Sequence, residues 1–325
     1  MKLYPLKFEP ILKSIIWGGS EIPKFKNLPN KESGIGESWE ISAVENNVSI
    51  IANGSLAGKK LDDLIDEAKG NLVGNKIYDK FGNKFPLLIK FIDAQDDLSI
   101  QVHPDDKLAK ERHNSFGKTE MWYVVKATPD AFIVSGFKNK ITPEQYLEKV
   151  KNNTFTDTLQ KYKAKEGDVY FLPAGRVHAI GSGCFIAEIQ QTSNITYRIY
   201  DYNRKDAQGK GRELHTELAK DAIDYSVYDS YKADYKSTKN KPVELVSCKY
   251  FTTNLLELDN NITQDLTDID SFIIYMCLEG FCHIDDDKGN KVTINQGETI
   301  LIPAETKHVT IVPTKNVKLL ETFVK

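Results

Sequence analysis

The 325-residue sequence predicts a mainly β protein: two tandem jelly-roll β-barrels with a few short helices. Three observations carry that reading. Short runs rich in β-branched and aromatic residues recur between closely spaced turns, which favours a jelly roll or another antiparallel β architecture. Helical signals are few. One segment is written twice: GDVYFLPAGRVHAI at 167–180 and GETILIPAETKHVT at 297–310 align without a gap. Gly167 then matches Gly297, Pro173 matches Pro303 and His178 matches His308, each 130 positions apart. Each copy reads as a turn, a short buried strand and a second turn, with the histidine opening the next strand. Two copies of a hairpin point to two units, with chance similarity of two turns as the alternative, because one repeated segment does not prove a repeat.

In chain order, strands are expected at 38–44, 85–94, 98–103, 120–127, 131–137, 168–173, 184–192 and 195–202. Helices are expected at 61–72, from apolar residues at helical spacing, at 141–152 and at 212–226. The second of these opens on Thr142, Pro143 and Gln145, an N-cap, a first-turn proline and a capping box. A polar, lysine-rich stretch at 229–242 then separates this part from a last strand-rich block. We expect a first domain at 1–238, carrying the short helices, and a second at 239–325.

Composition narrows the function classes. The chain is 40% apolar and 27% charged, with a net charge of −3. No basic stripe suggests nucleic acid, and the longest apolar stretch, 272–278, is too short to span a bilayer. The N-terminus carries charges at Lys2, Lys7 and Glu9 rather than the apolar core of a signal peptide. Cys184, Cys248, Cys277 and Cys282 show no paired spacing, so reduced thiols in a cytoplasmic protein are expected. An anionic small-molecule ligand remains compatible with the net charge if cations cluster locally; the oligomeric state is left open.

Six histidines are present. The densest chemistry lies in SIQVHPDD, where Gln101 and His103 are two apart on an expected strand and so share a face. In GKTEMWYV, Lys118 and Glu120 share a face in the same way. His178 follows a Pro-Ala-Gly turn. Gln101, His103, Glu120 and His178 together offer an amide oxygen, two imidazoles and a carboxylate. Such a mixed N/O set suits Zn²⁺ or another divalent first-row ion with one position open. Each residue alone has a blander reading, as a satisfied strand histidine or a solvated Lys–Glu pair. Composition and spacing reach a metal-binding β architecture and stop there. The tryptophans Trp17, Trp39 and Trp122 read as core or pocket walls.

The segments FPLLIKFIDAQDDLSIQVHPDD, GKTEMWYV and LPAGRVHAIGSG, in this order, resemble the successive signatures of type I phosphomannose isomerases, members of the cupin superfamily. IIWGG at 15–19 and IGESWEIS at 35–42 resemble that family's N-terminal segments, and the likeness runs from about residue 10 to 204 and more loosely beyond. The resemblance implies a cupin-like fold and metal-dependent isomerisation between mannose 6-phosphate and fructose 6-phosphate. It implies zinc on Gln101, His103, Glu120 and His178, catalytic roles for Arg198, Lys118 and Glu188, and substrate-binding cations at Lys90 and Arg204. The sequence departs from the family's long forms after Arg198, where it reads IYDYNRK, and in reducing a large helical insertion to short helices.

The chemistry agrees with that expectation. Moving a proton between C1 and C2 through a cis-enediol needs a base near neutrality and a partner for the developing oxyanion. A phosphate needs cations, and arginine's planar fork suits it. The rival reading is a non-catalytic sugar-phosphate-binding or regulatory cupin, which would not need Lys118, Glu188 and Arg198 beside four ligands. The second hairpin has no Gln-x-His or Lys-x-Glu ahead of it, so His308 is expected to mark the same turn without a metal.

Overall fold

The computed structural model describes residues 1–29, 33–205 and 208–325. It is mainly β. Four sheets carry the architecture, each wholly antiparallel. A seven-stranded sheet runs in the order Lys232–Ala233, Val169–Leu172, Glu120–Ala127, Cys184–Gln191, Leu87–Ala94, Ile11–Gly19, Ile35–Ile41. It faces a five-stranded sheet of Leu159–Lys163, Phe132–Phe137, His178–Ile180, Ile100–Val102 and Tyr197–Tyr200. The last part of the chain repeats the plan. A six-stranded sheet contains Thr299–Ile302, Ile273–Glu279, Val317–Phe323, Thr252–Leu258 and Val243–Ser247, and its outer strand is Leu6–Lys7 from the start of the chain. It faces a four-stranded sheet of Ile262–Asp265, His308–Pro313, Phe281–Asp286 and Lys291–Asn295. Among the described residues no sheet closes into a barrel, although Leu87–Ala94 pairs with Ile35–Ile41 as well as with Ile11–Gly19.

Strand alternation decides which residues reach which core. In Glu120–Ala127, Trp122 and Val124 join the cluster between the first two sheets, with Ile92, Ile133, Ile180 and Ile186. The intervening Met121, Tyr123 and Val125 point the other way, into a cluster shared with Ile274, Met276, Leu301 and Leu320 of the six-stranded sheet. Ile273, Tyr275 and Cys277 then face the four-stranded sheet. Both central sheets are therefore buried on two faces, which is why their strands read as near-continuous apolar runs.

The helices differ in detail from the sequence expectation. Pro143–Lys151 carries the anticipated capping box, with Thr142 and Gln145 bonding each other's backbone. The expected helix at 61–72 is two, Leu61–Ala68 and Gly70–Val73, broken at Lys69 by a positive φ of 50°. Asn75–Phe81 and Asp106–His113 were not foreseen. The latter buries only Ala109, so it has no apolar stripe to read, and its start is set by Asp105, whose carboxylate accepts the Leu108 N–H at 2.8 Å. In the 212–226 region, helix spans only Thr216–Ala222.

Candidate metal centre and adjoining pocket

Register brings the expected ligands together. His178 is the Cα partner of Gln101 across the five-stranded sheet, and Glu120 opens its strand in the facing sheet. His103 follows the Ile100–Val102 strand directly. The ligand atoms of His103, Glu120 and His178 all lie within 4.8 Å of one another, and all three residues are buried. His103 Nε2 is 3.5 Å from Glu120 Oε2, and His178 Nε2 is 3.3 Å from Glu120 Oε1. The Gln101 amide lies 3.3 Å from His178 Nε2, and rotating it presents the amide oxygen to the same point.

The protonation pattern calls for a cation. His103 Nδ1 donates to the Ile195 carbonyl at 2.9 Å, and His178 Nδ1 donates to the Arg176 carbonyl at 2.8 Å. Each ring therefore turns a bare Nε2 lone pair toward the carboxylate. Burial, and then the nearby Lys118 charge, push the His103 pKa down to about 3, so that ring is neutral. Burial also lowers His178. Although burial alone would raise Glu120, the Lys118 ammonium beside it holds it well below the usual carboxylate range. Among the described residues, His103 Nε2 and both Glu120 carboxylate oxygens are buried without a hydrogen-bond partner. Lone pairs and a carboxylate converging in a buried site are costly unless a cation joins them, and the donor set fits a divalent metal.

A pocket opens beside this group, lined by Gln101, Lys118, Lys90, Glu188, Arg198 and Arg212, with Glu37, Trp17 and Trp122 also on its wall. Lys118 Nζ stands 3.3 Å from Glu120 Oε2. Lys90 Nζ stands 3.0 Å from Glu188 Oε1 and 3.8 Å from Glu37 Oε2, and lies 5.3 Å from the Trp39 ring centre. Although burial opposes it, Glu188 and Glu37 raise the Lys90 pKa, keeping it protonated. Burial raises Glu188, with Lys90 resisting, and the Trp122 indole N–H donates to Glu188 Oε2 at 2.7 Å. Arg198 donates through Nη1 to the Glu213 carbonyl at 3.0 Å, while its buried Nε–H has no partner among the described residues. Arg204 stands elsewhere, pairing with Asp201 and donating to the Asp97 carbonyl at 2.6 Å beside Tyr202 and Ser182. Arg212 and Glu37 were not singled out from the sequence. Nothing local marks Arg212, which precedes a short helix; only the fold returns it to the pocket.

The second sandwich repeats this register with other residues. His308 pairs with Asp265 as His178 pairs with Gln101. Ile273 stands opposite Ile302 as Glu120 stands opposite Leu172. His308 is exposed and lies 3.8 Å from Asp265. One trio survives in altered form: Lys90–Glu188–Trp122 becomes Asn254–Glu321–Tyr275, adjacent across the same three strands.

Known proteins share this fold. A family model described as phosphomannose isomerase type I, catalytic domain, matches residues 6–132, and one described as mannose-6-phosphate isomerase, cupin domain, matches 241–317. Mannose-6-phosphate isomerase ManA of Bacillus subtilis is 35% identical over 284 residues, 86% of this chain and 87% of that protein. The chain belongs to the type I phosphomannose isomerase family. A second family member, mannose-6-phosphate isomerase of Streptococcus mutans, is 36% identical over 264 residues, covering 81% of this chain and 82% of its own. The crystal structure of a family member, the mannose 6-phosphate isomerase from Bacillus subtilis, superposes with a TM-score of 0.87 over 99% of this chain and 100% of that one, at 29% identity. The similarity to family members thus extends through both sandwiches.

Proposed function

We propose that this chain is a metal-dependent aldose–ketose isomerase interconverting mannose 6-phosphate and fructose 6-phosphate through a cis-enediol. One observation carries it: a cation-demanding His–Glu–His group lies behind Gln101 and Lys118, which line a pocket holding a raised-pKa carboxyl and further cations. Gln101, His103, Glu120 and His178 would hold one Zn²⁺, because two imidazole nitrogens and two oxygens suit that ion. When bound, the ion polarises a substrate oxygen as a Lewis acid.

The remaining work falls to the chain. Glu188 moves the proton between C1 and C2; burial raises its pKa above that of an ordinary carboxyl, which makes it the stronger base. Lys118, ion-paired to a metal ligand, exchanges a proton with the substrate oxygens. Arg198 turns its unpartnered Nε–H to the charge that develops on the enediol. Lys90 binds the sugar while holding Glu188, and Arg204, behind Asp201, adds to the field that attracts the phosphate. Trp122 fixes the Glu188 carboxyl by its indole hydrogen bond.

We read the architecture as two tandem jelly-rolls, 1–238 with the metal and 239–325 without it. The matching registers of His178–Gln101 and His308–Asp265 support descent from one duplicated unit. Free cysteines, with Cys184, Cys277 and Cys282 buried, support a cytoplasmic setting. The rival binding-module reading does not explain why Glu188 is buried beside Lys90 and raised in pKa. The deciding assay is isomerisation of mannose 6-phosphate before and after chelation, with zinc restored. Activity lost on chelation and regained with zinc is expected; activity untouched by complete metal removal would sink the mechanism.

A further inference from the structure

The ionic groups along the pocket are not evenly balanced. At the metal end, Lys90 and Lys118 each lie against carboxylates, Glu37 and Glu188 for one and Glu120 for the other. Three carboxylates against two ammonium groups leave an excess of negative charge, which suits a divalent ion. At the other end the sign reverses. Among the described residues, Arg198, Arg204 and Arg212 gather around one buried acid, Asp201. Arg212 Nε donates to Asp201 Oδ2 at 2.7 Å, and Arg204 and Arg212 both reach Oδ1. Among the described residues the guanidiniums here outnumber the buried carboxylates, and Glu213, another acid near Arg198, is exposed.

Backbone bonds fix the two pocket-lining arginines side by side. The His215 N–H donates to the Arg198 carbonyl at 2.7 Å, and the Arg198 N–H donates to His215 Nδ1 at 3.1 Å. The Arg198 Nη1 bond to the Glu213 carbonyl ties it to the residue next to Arg212. Arg212 lines the pocket while its side chain stays 29% exposed, at the outer end.

We propose that Arg212, held by Asp201, is the phosphate-binding residue of this site. The inference rests on the isomerase reading and adds the direction in which the substrate lies. The carbonyl end meets the metal ligands and Glu188, and the phosphate dianion meets the arginine end. Asp201 is a positioning residue: it holds the Arg212 fork in the plane that a bidentate phosphate contact needs. Arg204 balances Asp201 from the other side without entering the pocket.

The test uses inorganic phosphate as a competitive inhibitor of the full-length, zinc-loaded enzyme, alongside KM and kcat for mannose 6-phosphate. Arg212→Gln should raise both the phosphate inhibition constant and KM by about tenfold to a hundredfold, the usual weight of a hydrogen bond to a charged group. Bound zinc per chain should not change. Arg212→Lys keeps the charge without the fork and should fall between, and Asp201→Asn should raise KM with circular dichroism unchanged. An Arg212→Gln enzyme that folds and keeps the wild-type inhibition constant overturns the proposal; if it does not fold, the same result for Arg212→Lys and Asp201→Asn overturns it. Failure of the parent reading looks different: the wild type would then bind phosphate through Arg212 yet not isomerise mannose 6-phosphate.

Discussion

At the scale of single residues, His103 and Arg198 separate the two halves of the site. His103 contributes a bare Nε2 to the metal group and anchors itself on the Ile195 carbonyl. His103→Ala is expected to lose zinc and isomerase activity together, measured as metal content by plasma emission and as turnover. Among the described residues Arg198 makes no ion pair or side-chain hydrogen bond to His103, Glu120 or His178, so Arg198→Ala should keep its zinc and lose about two to three orders of magnitude in turnover, as removal of an oxyanion partner does. Near-normal turnover would remove Arg198 from the mechanism. Glu321, the counterpart of Glu188 in the second sandwich, gives a stability readout instead. Its carboxyl is 3% exposed, and burial raises its pKa despite bonds from Asn254, Gln264 and Tyr275. A carboxyl raised in the folded state binds more protons there than in the unfolded chain. Its contribution is therefore complete below the unfolded value of 4.5 and is lost as pH rises toward the folded one. Glu321→Gln should flatten this part of the profile: the difference between urea midpoints at pH 5 and pH 8 should be smaller than in the wild type.

At the scale of elements, the short Lys118–Glu120 segment shows how much of the site was legible and where legibility ended. Two-residue spacing placed Gln101 beside His103 and Lys118 beside Glu120, and the turn before His178 was readable from its Pro-Ala-Gly. Those are local facts. What holds the segment is not local: the Gln191 amide oxygen accepts the Thr119 N–H at 2.8 Å, and its amide nitrogen donates to Asp106 at 3.0 Å. Asp106 sits on the unforeseen helix and also takes the Tyr250 hydroxyl at 2.7 Å. A polar helix with one buried residue carries no periodic signal, so this brace was invisible until the chain folded. Arg212 escaped notice for the same reason, since a return loop and not a strand pattern puts it in the pocket. Gln191→Leu should leave Thr119 without its acceptor, cost about 1–3 kcal/mol of stability and weaken zinc binding about tenfold. Competition with a fluorescent zinc chelator measures the second effect, and unchanged affinity would show that Gln191 has no hold on the metal ligands.

At the scale of the whole molecule, the two sandwiches are not independent. Leu6–Lys7 pairs with Leu301 and Ile300, so the first residues of the chain complete the sheet of its last part. Ala304 and Glu305 donate backbone bonds to the Leu72 and Asn71 carbonyls, at 3.0 and 2.9 Å, docking the short helices on the second sandwich. Gly74 lies under Asp270 so closely that a Cβ would stand 2.2 Å from its carbonyl oxygen. The largest apolar cluster draws Phe91, Met121 and Phe185 from one central sheet and Ile274, Leu301 and Leu320 from the other. Two sandwiches sharing a core should unfold in one transition. The tryptophans make this measurable, because Trp17, Trp39 and Trp122 all lie in the first sandwich. Leu301→Ala removes a fully buried side chain of the second sandwich, at a cost of about 2–5 kcal/mol. If the shared core couples the two, tryptophan fluorescence will report that loss as a lower urea midpoint, coincident with the midpoint from far-ultraviolet circular dichroism. A fluorescence midpoint that stays at the wild-type value while circular dichroism splits into two steps would show that the site-bearing sandwich stands without its partner.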